Sequence, residues 1–300
     1  MSDYILSCCS TADLTPAHFA ERNISYVCFH FQQDGVTYPD DLGQSVPFED
    51  FYRWMTEGAE TNTSQINISE YLDYFDGLLR QGRDVLHIDF SSGLSGSYAS
   101  ACNAAAIARE RYPERKLLVL DSLAASSGYG LLMDKAADLR DEGMGIDELA
   151  QWIEEHKRYL HHWFFSTDLT FYIKGGRISK TSGAIAGVLG ICPLLDMDDQ
   201  GRLTPRMKIR SKKKVKEKIV EQMLAYAENG KDYSGKCYIS QSACYDDAKD
   251  VADMIEAAFP KLCGKVEIHY VGTLIGSHTG PGTVALFFWG DPKFPRRESK

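Results

Sequence analysis

Asp84-Val85-Leu86-His87-Ile88-Asp89-Phe90-Ser91-Ser92-Gly93-Leu94-Ser95-Gly96-Ser97-Tyr98 passes from an apolar run into a Ser/Gly loop, and Ala99-Ser100-Ala101-Cys102-Asn103-Ala104-Ala105-Ala106 continues it. Apolar residues bounded by turn formers spell a buried strand, and the alanine-rich continuation spells a helix, so the loop sits at a strand-to-helix junction. Such a junction attracts anions, because unpaired N–H groups and the positive helix end converge there and glycines permit close approach. A phosphate loop would need Lys-Ser/Thr after the last glycine, and Ser97-Tyr98 stand there instead. A hydrolase elbow needs Gly-x-Ser-x-Gly, and Gly96 comes one position too early for Ser95. A carboxylate held by hydroxyls and amides needs no lysine and fits the residues present. A loop that only caps its helix is the plain alternative.

The same alternation extends outward. Strands are expected at Tyr4 to Ser7, Tyr26 to Phe31, Val85 to Phe90 and Leu117 to Asp121, and helices at Ile68 to Gln81, Tyr98 to Arg111, Leu123 to Asp141 and Ile146 to Tyr159. Alternating elements of this kind predict a parallel α/β sheet, whose ligands bind beyond the carboxyl ends of the strands. The texture changes after Tyr159: Trp163-Phe164-Phe165, a glycine-rich stretch at 175–190, a hairpin over 193–203, and strands at Val266 to Tyr270 and Val284 to Trp289. Two domains are expected, 1–160 and 161–300.

Composition excludes several classes. The chain has 300 residues, 44% hydrophobic and 25% charged, with a net charge of -9, which disfavours nucleic acid as the main partner. No basic start precedes an apolar stretch, and no window reaches about 18 apolar residues, so the expected location is the cytoplasm. The eight cysteines include no CxxC pair. Reduced thiols without metal-ligand spacing are expected, Cys8 and Cys9 among them. One local patch is basic, with eight cations between Arg206 and Lys218. It reads as a solvated helix face, a transient membrane-surface contact or a docking site for an acidic protein.

Two further polar clusters stand out. Thr61-Asn62-Thr63-Ser64-Gln65 precedes Asn67, whose spacing to Glu70 spells a capping box. Gly276-Ser277-His278-Thr279-Gly280-Pro281-Gly282 sets a histidine within a rigid turn.

Taken in order, Thr63-Ser64-Gln65, Ser91 to Tyr98, Gly175-Gly176-Arg177-Ile178 and His278-Thr279-Gly280-Pro281-Gly282 resemble the DegV family of bacterial fatty-acid-binding proteins, across nearly the whole chain. The resemblance implies a DegV-like two-domain fold, with an N-terminal three-layer parallel-sheet domain and a C-terminal two-layer α/β domain with a mixed sheet. It implies a lipid-binding protein, not an independent enzyme, that buries one long-chain fatty acid and presents its carboxylate to a partner fatty-acid kinase, with no other cofactor. The positions matching the carboxylate-binding residues are Thr63, Ser95, Gly96 and His278, with Ser64, Ser92 and Ser97 behind them. Arg177 and Arg210 match partner-docking positions. The sequence departs from the family's usual Thr-Asp-Ser-Thr-like opening, because Cys9 stands where that motif carries an acid, and Asn62 stands where threonine is common.

The apolar tail would supply most of the affinity, at about 0.8 kcal/mol per buried CH2. Its expected lining is Ala184 to Ile191 with Phe164, Phe165, Leu194 and Leu195, in the second domain. The rival reading is a serine hydrolase with Ser95 as nucleophile and His278 as base.

Overall fold

The structure is a computed structural model that describes residues 4–179 and 191–291. In chain order its strands are β1 (Tyr4–Cys9), β2 (Ile24–Val27), β3 (His30–Gln33), β4 (Val36–Pro39), β5 (Thr61–Ser64), β6 (Asp84–Asp89) and β7 (Leu117–Asp121). The second half adds β8 (Leu160–Ser166), β9 (Ile191–Met197), β10 (Leu203–Arg210), β11 (Tyr238–Gln241), β12 (Glu267–Tyr270) and β13 (Thr283–Trp289). The helices are α1 (Pro16–Glu21), α2 (Phe48–Thr56), α3 (Ile68–Leu79), α4 (Ser97–Arg111), α5 (Ser126–Asp141), α6 (Ile146–His156), α7 (Thr170–Lys174), α8 (Lys212–Tyr226), α9 (Tyr245–Ala258) and α10 (Thr273–Thr279).

The first half holds a parallel sheet ordered β2-β1-β6-β7. All of β1 and all but the first residue of β6 are buried, as strands covered on both faces require. From β1 the chain returns on one side to β2, and from β6 it returns on the other side to β7. The loops after β1 and β6 therefore diverge, which opens a crevice at the switch point where such sheets receive ligands.

The expected strand Tyr26 to Phe31 is split. β2 ends at Val27, the chain turns, and β3 begins at His30 in a separate antiparallel sheet ordered β4-β3-β5. The polar run 61–64, for which the sequence suggested no strand, is an edge strand, β5, of that sheet. Asn67 and Glu70 form the capping box of α3.

The second half holds a mixed sheet ordered β10-β9-β8-β13-β11-β12. Its side chains alternate with the strand period. Trp163, Phe165, Leu194, Val284, Leu286 and Phe288 pack in one core with residues of α8 and α9, whereas Phe164, Leu195, Ala285 and Phe287 join the core of the first half. Helix α5 carries that shared core, with Gly128 set where a Cβ would lie 2.4 Å from Phe287. The expected boundary near 161 falls inside β8, at its first residues, and the two halves share one apolar cluster across it.

The hairpin expected over 193–203 is β9-β10, turned at Asp198, whose carboxylate accepts from the Gln200 and Arg202 amides, and at Gly201 with φ +67°. The basic segment divides between β10 and the start of α8. Lys212 and Lys216 reach Asp247 at 2.8 and 3.1 Å, Lys216 also reaches Asp250, and Lys218 reaches Glu221. Much of its charge is thus matched by acids of α8 and α9. No helix of the described residues is long and apolar enough to cross a membrane.

Candidate functional site

A cavity of about 990 Å³ lies between the two halves. This is at the large end of small-molecule sites. Its walls are aromatic and aliphatic and come from both sides: Phe29 and Phe90 from the first half, Phe164, Ala285 and Phe287 from the mixed sheet, Leu274 from α10. The acyl lining expected from sequence is corrected here. Phe165 and Leu194 project from the opposite face of the mixed sheet into the α8/α9 core, because neighbours along a strand point opposite ways, and Leu195 is core beside the cavity and does not line it. Residues 184–190 lie outside the described residues. The cavity is also not internal to the second half, since β5 and the loop after β6 form one end of it.

That end is polar, and Thr63, Ser64, Ser92, Ser95, Gly96 and His278 all line it. Strand pairing brings Thr63 there. Thr63 stands opposite Phe31, so both point to the same face of the small sheet, the face against which α10 packs. Its hydroxyl meets His278 Nε2 at 2.7 Å. His278 lies in the last turn of α10, not in the Gly-Pro-Gly turn expected to carry it, and Gly280 at φ +67° ends that helix. The imidazole needs Gly175 beneath it: a Cβ there would come 2.4 Å from His278 Nδ1.

Arg177 is placed differently from expectation. The sequence suggested a long cation held out for docking and away from the acyl cavity. Gly176, at φ +72°, ends α7 in the left-handed conformation and folds Arg177 back into the cavity wall. There its guanidinium donates to Gly175 O at 2.6 Å, Leu94 O at 3.2 Å and His278 Nδ1 at 3.4 Å. Arginine has no acceptor, so Nδ1 presents its lone pair and Nε2 carries the proton. Nε2–H then donates to Thr63 Oγ1, which leaves the threonine proton free to donate into the cavity. Burial, helped by the Arg177 charge, pulls the His278 pKa down to about 4, so the ring is neutral at pH 7. Burial also lowers the Arg177 pKa from its usual value.

The Ser/Gly loop is pinned from below and from the side. Ser91 Oγ donates to Gly201 O at 2.8 Å, which ties the loop to the β9-β10 turn, and Ser97 Oγ donates to Asp89 Oδ1 at 2.8 Å. Ser97 is therefore turned inward, beneath the cavity, and does not line it. The Ser95 amide donates to Ser91 O at 3.2 Å, so it is engaged within the loop. Among the described residues the Gly96 amide, at the start of α4, has no such partner. Ser95 Oγ accepts from the Ser97 amide at 3.2 Å, which leaves its own proton to donate. Gln65 completes this corner: its amide reaches Ser100 Oγ at 3.2 Å, and a Cβ on Gly96 would lie 2.4 Å from Gln65 Oε1. Sequence reasoning quoted Gln65 without a role. Its place beside Thr63 and Ser64 in the motif that carries the family resemblance was the available signal for it.

The hydrolase arrangement is not assembled here. His278 is engaged by Thr63, not Ser95, and its other nitrogen faces a cation where a triad has a carboxylate. Arg210 ends β10, exposed and away from the cavity. Cys8 and Cys9 are buried, and burial beside Asp89 pushes both thiols well above their usual range.

Fold and site together define an α/β protein whose parallel and mixed sheets enclose a largely apolar cavity with one hydrogen-bonding end. The chain belongs to the DegV family, described as a family of uncharacterised proteins, whose sequence profile matches residues 9–291. It is 34% identical over 295 residues to a DegV domain-containing protein of Clostridium perfringens, covering 98% of this chain and 100% of that one. Its fold is similar to a fatty-acid-binding DegV family protein from Thermus thermophilus, with a TM-score of 0.85 at 24% identity, covering 96% of this chain and 100% of that chain. It is similar too to the Streptococcus pneumoniae Fatty Acid Kinase (Fak) B3 protein loaded with linoleic acid, with a TM-score of 0.81 at 22% identity over 97% and 100% of the two chains.

Proposed function

We propose that this protein binds one long-chain fatty acid, with the tail in the apolar cavity and the carboxylate at the Thr63, Ser95, Gly96 and His278 end. The observation that carries the reading is the shape and polarity of the cavity: about 990 Å³, apolar along its walls, with hydroxyl, amide and imidazole donors gathered at one end. About a dozen buried methylenes would contribute about 10 kcal/mol before the cost of immobilising the chain, several times what any one head-group hydrogen bond adds. The tail sets affinity and the polar end sets orientation.

Three donors face an incoming carboxylate: the Thr63 hydroxyl, the Ser95 hydroxyl and the Gly96 amide. Half-buried Arg177 adds the positive charge that a desolvated anion requires, a contribution the sequence reading assigned to neutral donors alone. Kinship with a fold that includes a fatty-acid-kinase B protein supports presentation of this carboxylate to a partner kinase. Arg210, exposed at the rim strand, is the docking cation that remains once Arg177 is assigned to the cavity.

Native mass spectrometry of protein purified from a bacterial host tests the binding. A co-purifying mass equal to one long-chain fatty acid is expected; repeated failure to find or load any lipid would exclude this function.

A further inference from the structure

Beneath the Ser/Gly loop, sealed from the cavity, lies a second cluster that fatty-acid binding does not use. In the register that pairs Ser7 with His87, parallel neighbours share a face, so Ser7 and Cys9 of β1 point the same way as His87 and Asp89 of β6. Helix α3 covers that face with Tyr71, Tyr74 and Phe75, all ringed around His87. Cys9, His87 and Asp89 have no solvent exposure.

Cys9 Sγ lies 3.9 Å from His87 Nε2 and 3.6 Å from Asp89 Oδ2, and His87 Nε2 lies 3.1 Å from Asp89 Oδ2. Bond lengths of about 2.3 Å to sulfur and about 2.0–2.2 Å to nitrogen and oxygen, at tetrahedral angles, set such ligand atoms about 3.3–3.6 Å apart. The three atoms therefore need to move by only a few tenths of an ångström to surround one ion. Tyr71 OH lies beside the three, 3.4 Å from the thiol and donating to the Asp89 carboxylate at 2.5 Å, and it would have to draw back from that oxygen by about 1 Å to take a fourth corner. The outer atoms of two ligands are held as well: His87 Nδ1 by Ser7 Oγ at 2.9 Å, and Asp89 Oδ1 by Ser97 Oγ at 2.8 Å. Metal-binding histidines and carboxylates are oriented by outer partners of this kind.

We propose that Cys9, His87 and Asp89 form a buried structural zinc site, with the Tyr71 hydroxyl as fourth ligand. Charge selects the ion. A thiolate, a carboxylate and a neutral imidazole carry two negative charges, which one divalent cation cancels, as a site without water demands. Thiolate beside imidazole selects zinc over magnesium or calcium, which take oxygen ligands. Binding releases the Cys9 proton to solvent, and full burial means that the ion enters as the chain folds. Through Ser97 the metal would anchor the start of α4 and the loop above it. This inference does not rest on the fatty-acid reading.

The full chain is unfolded with a chelator and refolded with Zn²⁺ or Co²⁺, and its metal content is measured after dialysis. About one ion per chain is expected, with a thiolate-to-cobalt charge-transfer band in the near ultraviolet. Cys9→Ser should lose that band and retain at least tenfold less cobalt, while Cys263→Ser, which removes an exposed thiol, should keep both. X-ray absorption of the wild-type zinc protein needs no variant and should show one sulfur ligand among nitrogen and oxygen. A wild-type protein that refolds with negligible metal, a zinc shell without sulfur, or a cobalt band that survives in a folded Cys9→Ser would each overturn the site.

Discussion

His278 and His87 are held in parallel ways with opposite electrical results. Each imidazole meets a hydroxyl through one nitrogen, Thr63 for His278 and Ser7 for His87. The second nitrogen decides the difference: it faces the Arg177 guanidinium in one case and the Asp89 carboxylate in the other. A cation behind His278 makes it a fixed neutral donor to Thr63, so the hydroxyl points its own proton at an anion. A carboxylate and a thiol around His87 present lone pairs, so that cluster faces a cation. On the two proposals made above, one end of the β1/β6 crevice receives a negative head group and the layer beneath it a positive charge.

The largest expected effect separates the two by burial. His87→Ala opens a hole among three aromatic rings and strands the Ser7 and Asp89 partners in a sealed interior. It should cost about 3–5 kcal/mol of unfolding free energy by chemical denaturation. His278→Ala, on a cavity wall, should cost about 1–2 kcal/mol. Equal losses would mean that exposure to the cavity does not distinguish them.

The next effect is a pH dependence confined to the cavity side. His278 has a pKa of about 4 in the folded chain, below the ordinary histidine value, so between those two values the unfolded chain binds more protons. Stability from His278 is therefore complete above pH ~6.5 and lost as pH falls toward 4, by at most about 3 kcal/mol. His269, also near 4 through burial, adds a drop in the same window. His278→Gln should flatten the denaturation midpoint against pH over this window, leaving the His269 part. An unchanged slope would show that His278 titrates alike in the folded and unfolded chain, so that burial and Arg177 do not hold it neutral through this window.

These contrasts were unequally legible in the sequence. The strand-loop-helix at 84–106 and the parallel pairing of its sheet followed from apolar runs and turn formers, because those signals are local, whereas the strand order β2-β1-β6-β7 was not read from them. The Thr63, Ser95 and His278 cluster emerged only by resemblance, since its members lie on β5, the loop after β6 and α10, and no spacing joins them. Strand β5 was misread because four polar residues on a sheet edge carry no buried face to betray a period of two. Arg177 was misplaced because a Gly-Gly pair signals a turn without giving its direction, and only the left-handed Gly176 sends the side chain inward. The Cys9, His87 and Asp89 cluster was invisible as a group because parallel pairing, not spacing, brings it together.

A third effect tests the anion end through ligand. Thr63→Val and Ser95→Ala each remove a donor, and each should weaken fatty-acid binding by about 1–3 kcal/mol in titrations. Arg177→Ala should weaken the acid by a similar amount through its charge and through release of the His278 tautomer. A fatty-acid methyl ester carries no charge, so its weaker binding should change little in Arg177→Ala. Equal losses for acid and ester would make Arg177 a packing residue.

The smallest effect belongs to Arg210, which lies in neither cluster. It ends β10 on the surface, and a substitution at an exposed site without buried partners changes stability by less than about 0.5 kcal/mol. Fatty-acid affinity should be unchanged as well, since the side chain does not line the cavity. A cation on the rim acts instead on encounter with a charged partner, and that contribution fades as salt screens it. In a reconstituted system with a fatty-acid kinase and ATP, Arg210→Ala should slow acyl-phosphate formation at low salt by a few-fold and converge on the wild-type rate as salt rises. Arg177→Ala should behave in the opposite way, with its loss in binding and little of it relieved by salt, because its charge is half-buried. If Arg210→Ala matches wild type at every salt concentration while Arg177→Ala slows turnover per loaded molecule, the docking cation lies at the cavity mouth after all, and the division between an inward and an outward arginine fails.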